Sequence, residues 1–473
     1  MEYWKKNQIF EKSIANREGA ETFTFFEGPP SANGTPGIHH VMARTLKDIF
    51  CRYKTLKGFQ VKRKGGWDTH GLPVELQVEK ELGITKEDIG KKISVEEYNK
   101  KCRETVMRFK NEWDDLTEKI GYWVDLDDPY ITFDSKYIET LWSLLRKLYD
   151  KELLYKGYTI QPYSPAAGTG LSSHELNQPG TYKDVKDTSI TAQFKLKGQE
   201  NTYILAWTTT PWTLPSNSAL AIGENLDYVK VKTFNPYTHE PVNVILAKAR
   251  MGAYLNPKAA ELKLEEYQAG DKLIPYQVVE EFKGKDMLGW EYEQLFPIEA
   301  LALPHPAFTV VSGDYVTTED GTGIVHLAKA FGADDFRTLV QNNVPGIFVQ
   351  DELGNDIPVV DKRGKFLPVV GEYLAAKMKE HEITAHKEYG VDDFYVKNYT
   401  EDDENATDYK NTDVIISIIL KNENKAFKVE KYEHSYPHCW RTDKPVLYYP
   451  LESWFIKTTA FKDKMVELNK TIN

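Results

Sequence analysis

The chain has 473 residues, 41% hydrophobic and 28% charged, with a formal net charge of −11. That length exceeds what one core usually organises, and with no apolar run near the ~18 residues of a membrane span and a charged opening, MEYWKKNQIFEKS, it reads as a multidomain cytoplasmic protein without a membrane partner. Three scattered cysteines, Cys51, Cys102 and Cys439, argue against a disulfide framework, and the acidic balance leaves only local patches for nucleic acid.

Phe23, Thr24, Phe25 and Phe26 predict a strand, followed by the loop GPPSANGTPGIHH at 28–40 and then a helix. Val41, Thr45, Ile49 and Tyr53 recur at i, i+4 spacing, Met42, Leu46 and Phe50 lie beside them, and Gly58 ends the run. His39 and His40 therefore fall at a helix N-terminus, where free N–H groups and the dipole favour phosphate; equally, they serve as exposed caps of a tight turn. Residues 59–64 predict a basic strand that leads into GWDTHGLPVELQVEK. Lys54, Lys57, Lys62, Arg63 and Lys64 form a basic patch that reads as a nucleic-acid contact or as an ordinary solvated face. Amphipathic helices are predicted over 95–120 and 136–154. After Tyr182, strands such as 190–194 and 203–207, with frequent Pro and Gly, predict a β-rich insertion to about Val429, with 400–408 as an exposed loop.

Inside that insertion Thr208, Thr209 and Thr210 place three hydroxyls where a strand breaks at Pro211. Such a row can bind a ribose or ester and aim a water, or simply decorate a strand end. Further on, a strand ending at His326 runs through a glycine loop into a helix opened by Asp334 and Asp335. Alone, these aspartates read as caps worth about 1 kcal/mol.

The loop GPPSANGTPGIHH paired with GWDTHGLPVE resembles the class I isoleucyl-tRNA synthetases, and the resemblance runs along nearly the whole chain. It implies an α/β fold, a Rossmann-like class I catalytic half with an inserted β-rich editing domain: residues 1–182 the first catalytic part, 183–429 the insertion, 430–473 the return. By the same resemblance ATP, with Mg²⁺, contacts Asn33, Gly37, His39 and His40, the two histidines being catalytic. Gly28, Pro29 and Asp68 hold L-isoleucine, with Asp68 on its amino group. The order Gly37-Ile38-His39-His40 departs from the usual His-x-Gly-His, so His39 occupies the space over which adenine normally packs.

The implied reaction is attack of the isoleucine carboxylate on the α-phosphorus of ATP, releasing pyrophosphate, then transfer of the isoleucyl group to tRNA(Ile) with release of AMP, by a monomer. Isoleucine and valine differ by one methylene, worth about 1–3 kcal/mol, a limit for which isoleucyl enzymes are the standard example. A second, hydrolytic site is therefore implied. In it Thr208, Thr209 and Thr210 frame the ester, His326 excludes the cognate side chain, and Asp335 holds the α-amino group. Lys329 stands where many relatives have proline. Ser164-Pro165-Ala166-Ala167 and Cys439-Trp440-Arg441-Thr442 replace two cysteine knuckles, so no protein-bound zinc is expected. A KMSKS-like loop and a long helical anticodon region are absent, so an N-terminal fragment lacking full aminoacylation is expected. A free-standing editing protein would have no reason to keep WDTHGLP, and an unrelated nucleotidyltransferase no need of the threonine row and aspartate pair.

Overall fold

The computed structural model describes residues 1–471 except Phe26 and Glu401. The chain divides into two compact units, Met1–Gly157 with Trp454–Asn473, and Tyr158–Ser453. Among the described residues no helix is long and apolar enough to cross a membrane.

In the first unit the predicted helix forms over Ile38–Leu56 and stops where expected, Gly58 taking φ +98°, a left-handed conformation that favours glycine. Its apolar stripe, however, faces solvent: Ile38, Met42, Leu46, Phe50 and Tyr53 are exposed, while Arg44, Cys51 and Thr55 are buried. The predicted strand at 23–26 is reduced to a bridge between Thr22 and Gln60, with Phe26 outside the described residues. The strand expected at 59–64 lies instead over Lys64–Trp67, parallel to Asp125–Ile131 with Gly66 opposite Tyr130. A Cβ at Gly66 would come within 2.3 Å of the Tyr130 ring, so glycine sets that register. The helix expected over 95–120 is two, Val95–Val106 and Lys110–Lys119, broken where Phe109 turns its N–H to the Ala32 carbonyl, 3.0 Å. The next runs Ser135–Asp150 rather than to 154.

Arg63 does not belong to a solvated patch. It is buried, its guanidinium on Asp48 at 3.0 Å, the Trp123 carbonyl at 3.1 Å and the Thr55 hydroxyl at 3.1 Å. Lys64 pairs with Asp128 at 2.7 Å.

The second unit is built on a six-stranded sheet in the order Gln277–Lys283, Asp227–Phe234, Pro241–Ala247, Thr202–Thr208, Tyr182–Lys195, Ala426–Pro437. Its pairs are antiparallel except Thr202–Thr208 with Pro241–Ala247. Beside it Thr309–Ser312, Ala219–Ile222 and Ile324–Leu327 form a smaller sheet. Phe194, Ile204, Ile245, Tyr292 and Ile415 fill the core between strands and helices. The unit boundaries, 157/158 and 453/454, lie outward of the texture changes at 182 and 429. Tyr182–Lys195 and Ala426–Pro437 pair from Tyr182↔Pro437 to Ala192↔Ala426, so residues 430–437 continue the sheet.

Candidate active sites

The first site surrounds the start of Ile38–Leu56. The Gly37 N–H donates to Nδ1 of His40 at 2.9 Å, which leaves the neutral ring its proton on Nε2. The His40 ring lies 3.8 Å from His39 and 4.6 Å from Trp113, centroid to centroid. Burial, then the charges of His39 and Arg44, hold His40 below the ordinary histidine range. A Cβ on Gly37 would meet the His39 ring at 2.9 Å, so the swapped order works only with glycine there.

Trp113 is the residue that sequence reading missed. Its indole N–H donates to the Gly34 carbonyl at 2.8 Å, and it shares a small core with Ala32 and Trp67. The neighbouring Asp68 N–H donates to the Pro30 carbonyl at 2.9 Å. The 28–34 loop, the 67–68 turn and the histidines thus converge on one aromatic side chain. Asn33 donates to Gln77 at 3.2 Å and accepts from Ser31 at 2.9 Å. Gly28 and Asp68 are exposed and Pro29 half-buried, so the Asp68 carboxylate is open to a ligand. A second unforeseen group, Arg44, is buried against the Trp113 ring at 5.1 Å and hydrogen-bonded to Thr117. An isolated Trp in the polar helix KNEWDDLTEK was the available signal.

The second site lies where Thr202–Thr208 ends. Thr208 Oγ1 accepts the Thr210 N–H at 3.1 Å and lies 3.1 Å from the Thr210 hydroxyl, while Thr209 is half-buried beside them in the chain. Pro211–Ser216 then turns as a 3-10 helix and brings Thr213 to His326. The proton positions follow from counting donors. Thr213 spends its one hydroxyl proton on the Thr210 carbonyl at 2.8 Å, so its oxygen accepts from His326 Nε2 at 2.8 Å. Nδ1 is then the lone-pair nitrogen and accepts from Asn217 Nδ2 at 3.4 Å; Asn217 Nδ2 also donates to the Ala219 carbonyl at 3.0 Å. The fully buried Tyr292 hydroxyl donates to Asn217 Oδ1 at 2.7 Å. Both nitrogens of His326 are therefore committed, and burial pushes its value down to about 4.

That shift has a consequence for stability. The folded state gives up the His326 proton more readily than the ordinary value of 6.5 allows, so its contribution is complete above pH 6.5 and is lost as pH falls toward 4. The difference in melting temperature between His326→Gln and the parent is expected to shift in the variant's favour as pH falls across that window. A difference that stays constant across it would remove His326 as the source.

Asp335 does more than serve the first turn of its own helix. Its carboxylate accepts the Ala328 N–H at 2.8 Å, two residues after His326, and a Cβ on Gly332 would strike the same carboxylate at 2.6 Å. Burial raises it to about 7. Asp334, by contrast, is exposed and pairs with Arg337 at 3.0 Å. Phe331, in the loop between, packs edge-on against Trp212 at 5.0 Å. Thr208, Thr210, Thr213 and His326 are thus joined by hydrogen bonds, and the Asp335 loop meets that segment through the Phe331–Trp212 contact. Lys329 reaches the Val344 carbonyl at 3.1 Å, fastening the loop where a proline would stiffen it.

The knuckle residues also meet. Cys439 is buried, and burial, opposed by the polar groups of Thr442, Arg441 and Ser164 around it, leaves its thiol below the ordinary range. Tetrahedral zinc takes four N or S donors; this knuckle offers one thiol, and its residues do not fit the ion. The one cluster of potential metal ligands among the described residues, Glu380, His381 and Glu423, lies elsewhere, its carboxylates already bridged by Lys377 at 3.0 and 2.7 Å.

A glycine-rich loop leads to two histidines at a helix start in the first unit, and along the chain a β-rich unit is inserted between the two segments of that unit. The profile of the tRNA synthetases class I (I, L, M and V) matches residues 1–473, and the chain belongs to that family. It is 65% identical to the isoleucine–tRNA ligase of Cytophaga hutchinsonii, over 100% of this chain and 42% of that one, and 60% identical to that of Bacteroides fragilis strain YCH46, over 99% and 41%. The chain therefore spans about two-fifths of the length of the curated relatives it matches. Among solved structures, the Agrobacterium radiobacter K84 agnB2 LeuRS-tRNA-LeuAMS ternary complex matches at 15% identity and a TM-score of 0.30, over 80% of this chain and 46% of that one.

Proposed function

We propose that this chain carries the isoleucine- and ATP-binding face of an isoleucine–tRNA ligase and a separate site that hydrolyses valine wrongly attached to tRNA(Ile). The observation that carries the reading is that Thr208, Thr210, Thr213 and His326 are hydrogen-bonded in one chain of contacts, while the Asp335 carboxylate takes the backbone N–H of Ala328, two residues beyond His326. The relatives' printed activity and the 65% identity support the ligase half of this reading.

In the first site the helix start at Ile38, with neutral His40 and exposed His39, would receive the phosphates of ATP. Mg²⁺ arriving with ATP supplies charge neutralisation on the phosphates. Asp68 would take the isoleucine ammonium, and Gly28 and Pro29 the rest of the amino acid. In the second site an ionised Asp335 would hold the α-amino group of a valyl ester, the threonine hydroxyls would position ester and water, and the His326 ring would close the space a longer side chain needs. The protein would work in the cytoplasm as a monomer, with tRNA(Ile) as macromolecular substrate and without zinc.

The test is deacylation of the two aminoacyl-tRNAs by the chain itself. Valyl-tRNA(Ile) is expected to be hydrolysed at least 10-fold faster than isoleucyl-tRNA(Ile), on the order of the discrimination one methylene permits. Equal rates, or hydrolysis of neither, would remove the editing assignment.

A further inference from the structure

The threonine row is held from a third direction, by a buried ion network that neither site accounts for. Asp413 opens the helix Thr412–Asn422 and is 1% exposed. It does not cap that helix, a task taken by Asn411, whose Oδ1 accepts the Val414 N–H at 3.1 Å. Instead Asp413 Oδ1 accepts the backbone N–H of Trp212 at 2.8 Å, across 201 residues of sequence. That N–H needs a partner: it stands in the first turn of the 3-10 helix Pro211–Ser216, where N–H groups have no acceptor within the helix. The other oxygen, Oδ2, lies 3.3 Å from the ammonium of Lys397, which is also buried. Lys397 in turn contacts Asp187 at 2.8 Å and the Tyr436 ring at 4.9 Å, and His434 Nε2 closes on Asp187 at 3.3 Å.

Burying two carboxylates around one ammonium is costly unless each remaining lone pair finds a donor. Here both oxygens of Asp413 find one, and the donor to Oδ1 is a backbone group two residues after the threonine row. Trp212 is also the residue whose ring packs on Phe331, in the loop joining His326 to Asp335. One backbone N–H and one indole therefore fix the threonine segment and the aspartate loop to each other.

We propose that Asp413, held by Lys397, is a positioning residue for the hydrolytic site: by anchoring the Trp212 N–H it sets where Thr208, Thr209 and Thr210 stand relative to His326 and Asp335. This rests on the editing reading for its consequence but not for its geometry. Asp413 touches no reacting atom; it acts through the backbone of residues 208–213, so its loss misplaces the groups that act on the ester rather than removing the pocket.

The test uses Asp413→Ala and Asp413→Asn in the full chain, read by valyl-tRNA(Ile) deacylation and by hydrogen exchange of peptides covering 208–216 and the strand 241–247. Asp413→Ala is expected to lower kcat at least 30-fold with KM within threefold, to speed exchange at 208–216 and to leave 241–247 protected. Asp413→Asn keeps an acceptor for the Trp212 N–H and is expected to recover kcat to within fivefold of the parent. If Asp413→Ala loses protection at 241–247 as well, Asp413→Ser, whose hydroxyl is too short to span to Trp212, replaces it under the same expectations. Unchanged exchange at 208–216, an Asn variant as impaired as the Ala variant, or parental kcat in the Ala variant would each overturn the proposal. A parent that hydrolyses no valyl-tRNA would overturn the editing reading instead, and the exchange comparison would still decide the anchor.

Discussion

Asp335→Ala is expected to slow valyl-tRNA(Ile) hydrolysis by about 100-fold or more, because truncating one member of a desolvated charge pair costs roughly 2–5 kcal/mol. The carboxylate is aimed by the Ala328 N–H and by the close approach that Gly332 permits, so the side chain is placed before any ligand arrives. Because burial raises its carboxyl to about 7, the fraction able to hold an ammonium grows as pH rises through neutrality. Deacylation by the parent should therefore fall about tenfold per unit below pH 7. The stability of the fold runs the other way. A carboxyl that binds its proton more tightly when folded favours the folded state fully below its ordinary value of 3.8 and loses that advantage as pH rises through about 7. Asp335→Asn should consequently gain melting temperature relative to the parent at pH 8 and little at pH 4. Parental deacylation in a folded Asp335→Ala variant would assign the aspartate to structure and move the amino-group site, with Asp334 the next residue to replace.

What the sequence disclosed and what it concealed divide by the reach of the interactions. Gly37, His39, His40 and Gly58 declare themselves because capping and glycine conformations are decided within one turn. The strand near residue 60 was displaced to Lys64–Trp67 because its basic residues look alike locally, while Arg63 finds its partners only in Asp48, Thr55 and Trp123. The stripe from Ile38 to Tyr53 has helical spacing whether or not anything covers it, so periodicity located the helix but not its buried face. Asp334 and Asp335 are indistinguishable as letters; only the fold of the 326–332 loop turns one inward and leaves the other on Arg337. Thr213, Asn217, Tyr292 and Asp413 passed unnoticed for the same reason. Their partners stand 113, 109, 75 and 201 residues away, where no local pattern can signal them.

His326→Ala is expected to expose correctly charged isoleucyl-tRNA(Ile) to hydrolysis, raising its deacylation about 10–100-fold while valyl-tRNA hydrolysis changes by less than about fivefold; one methylene's worth of discrimination sets that range. The argument starts from the proton count. With Nε2 donating to Thr213 and Nδ1 accepting from Asn217, and with the ring kept neutral by burial, His326 has neither a free lone pair nor a transferable proton at pH 7. It cannot serve as the base that activates water; its available contribution is the volume and rigidity of a ring fastened at both ends. Deleting that ring should therefore relax exclusion rather than stop chemistry. Tyr292→Phe provides the graded case: it leaves the ring in place but withdraws the hydroxyl from Asn217 Oδ1, loosening one of the two fasteners. Its isoleucyl-tRNA hydrolysis should lie between that of the parent and of His326→Ala. A folded His326→Ala that loses valyl-tRNA hydrolysis altogether would show the imidazole acting on the reacting atoms. One that leaves isoleucyl-tRNA as long-lived as the parent does would place the exclusion elsewhere, with Trp212 and Phe331 the neighbouring rings to test.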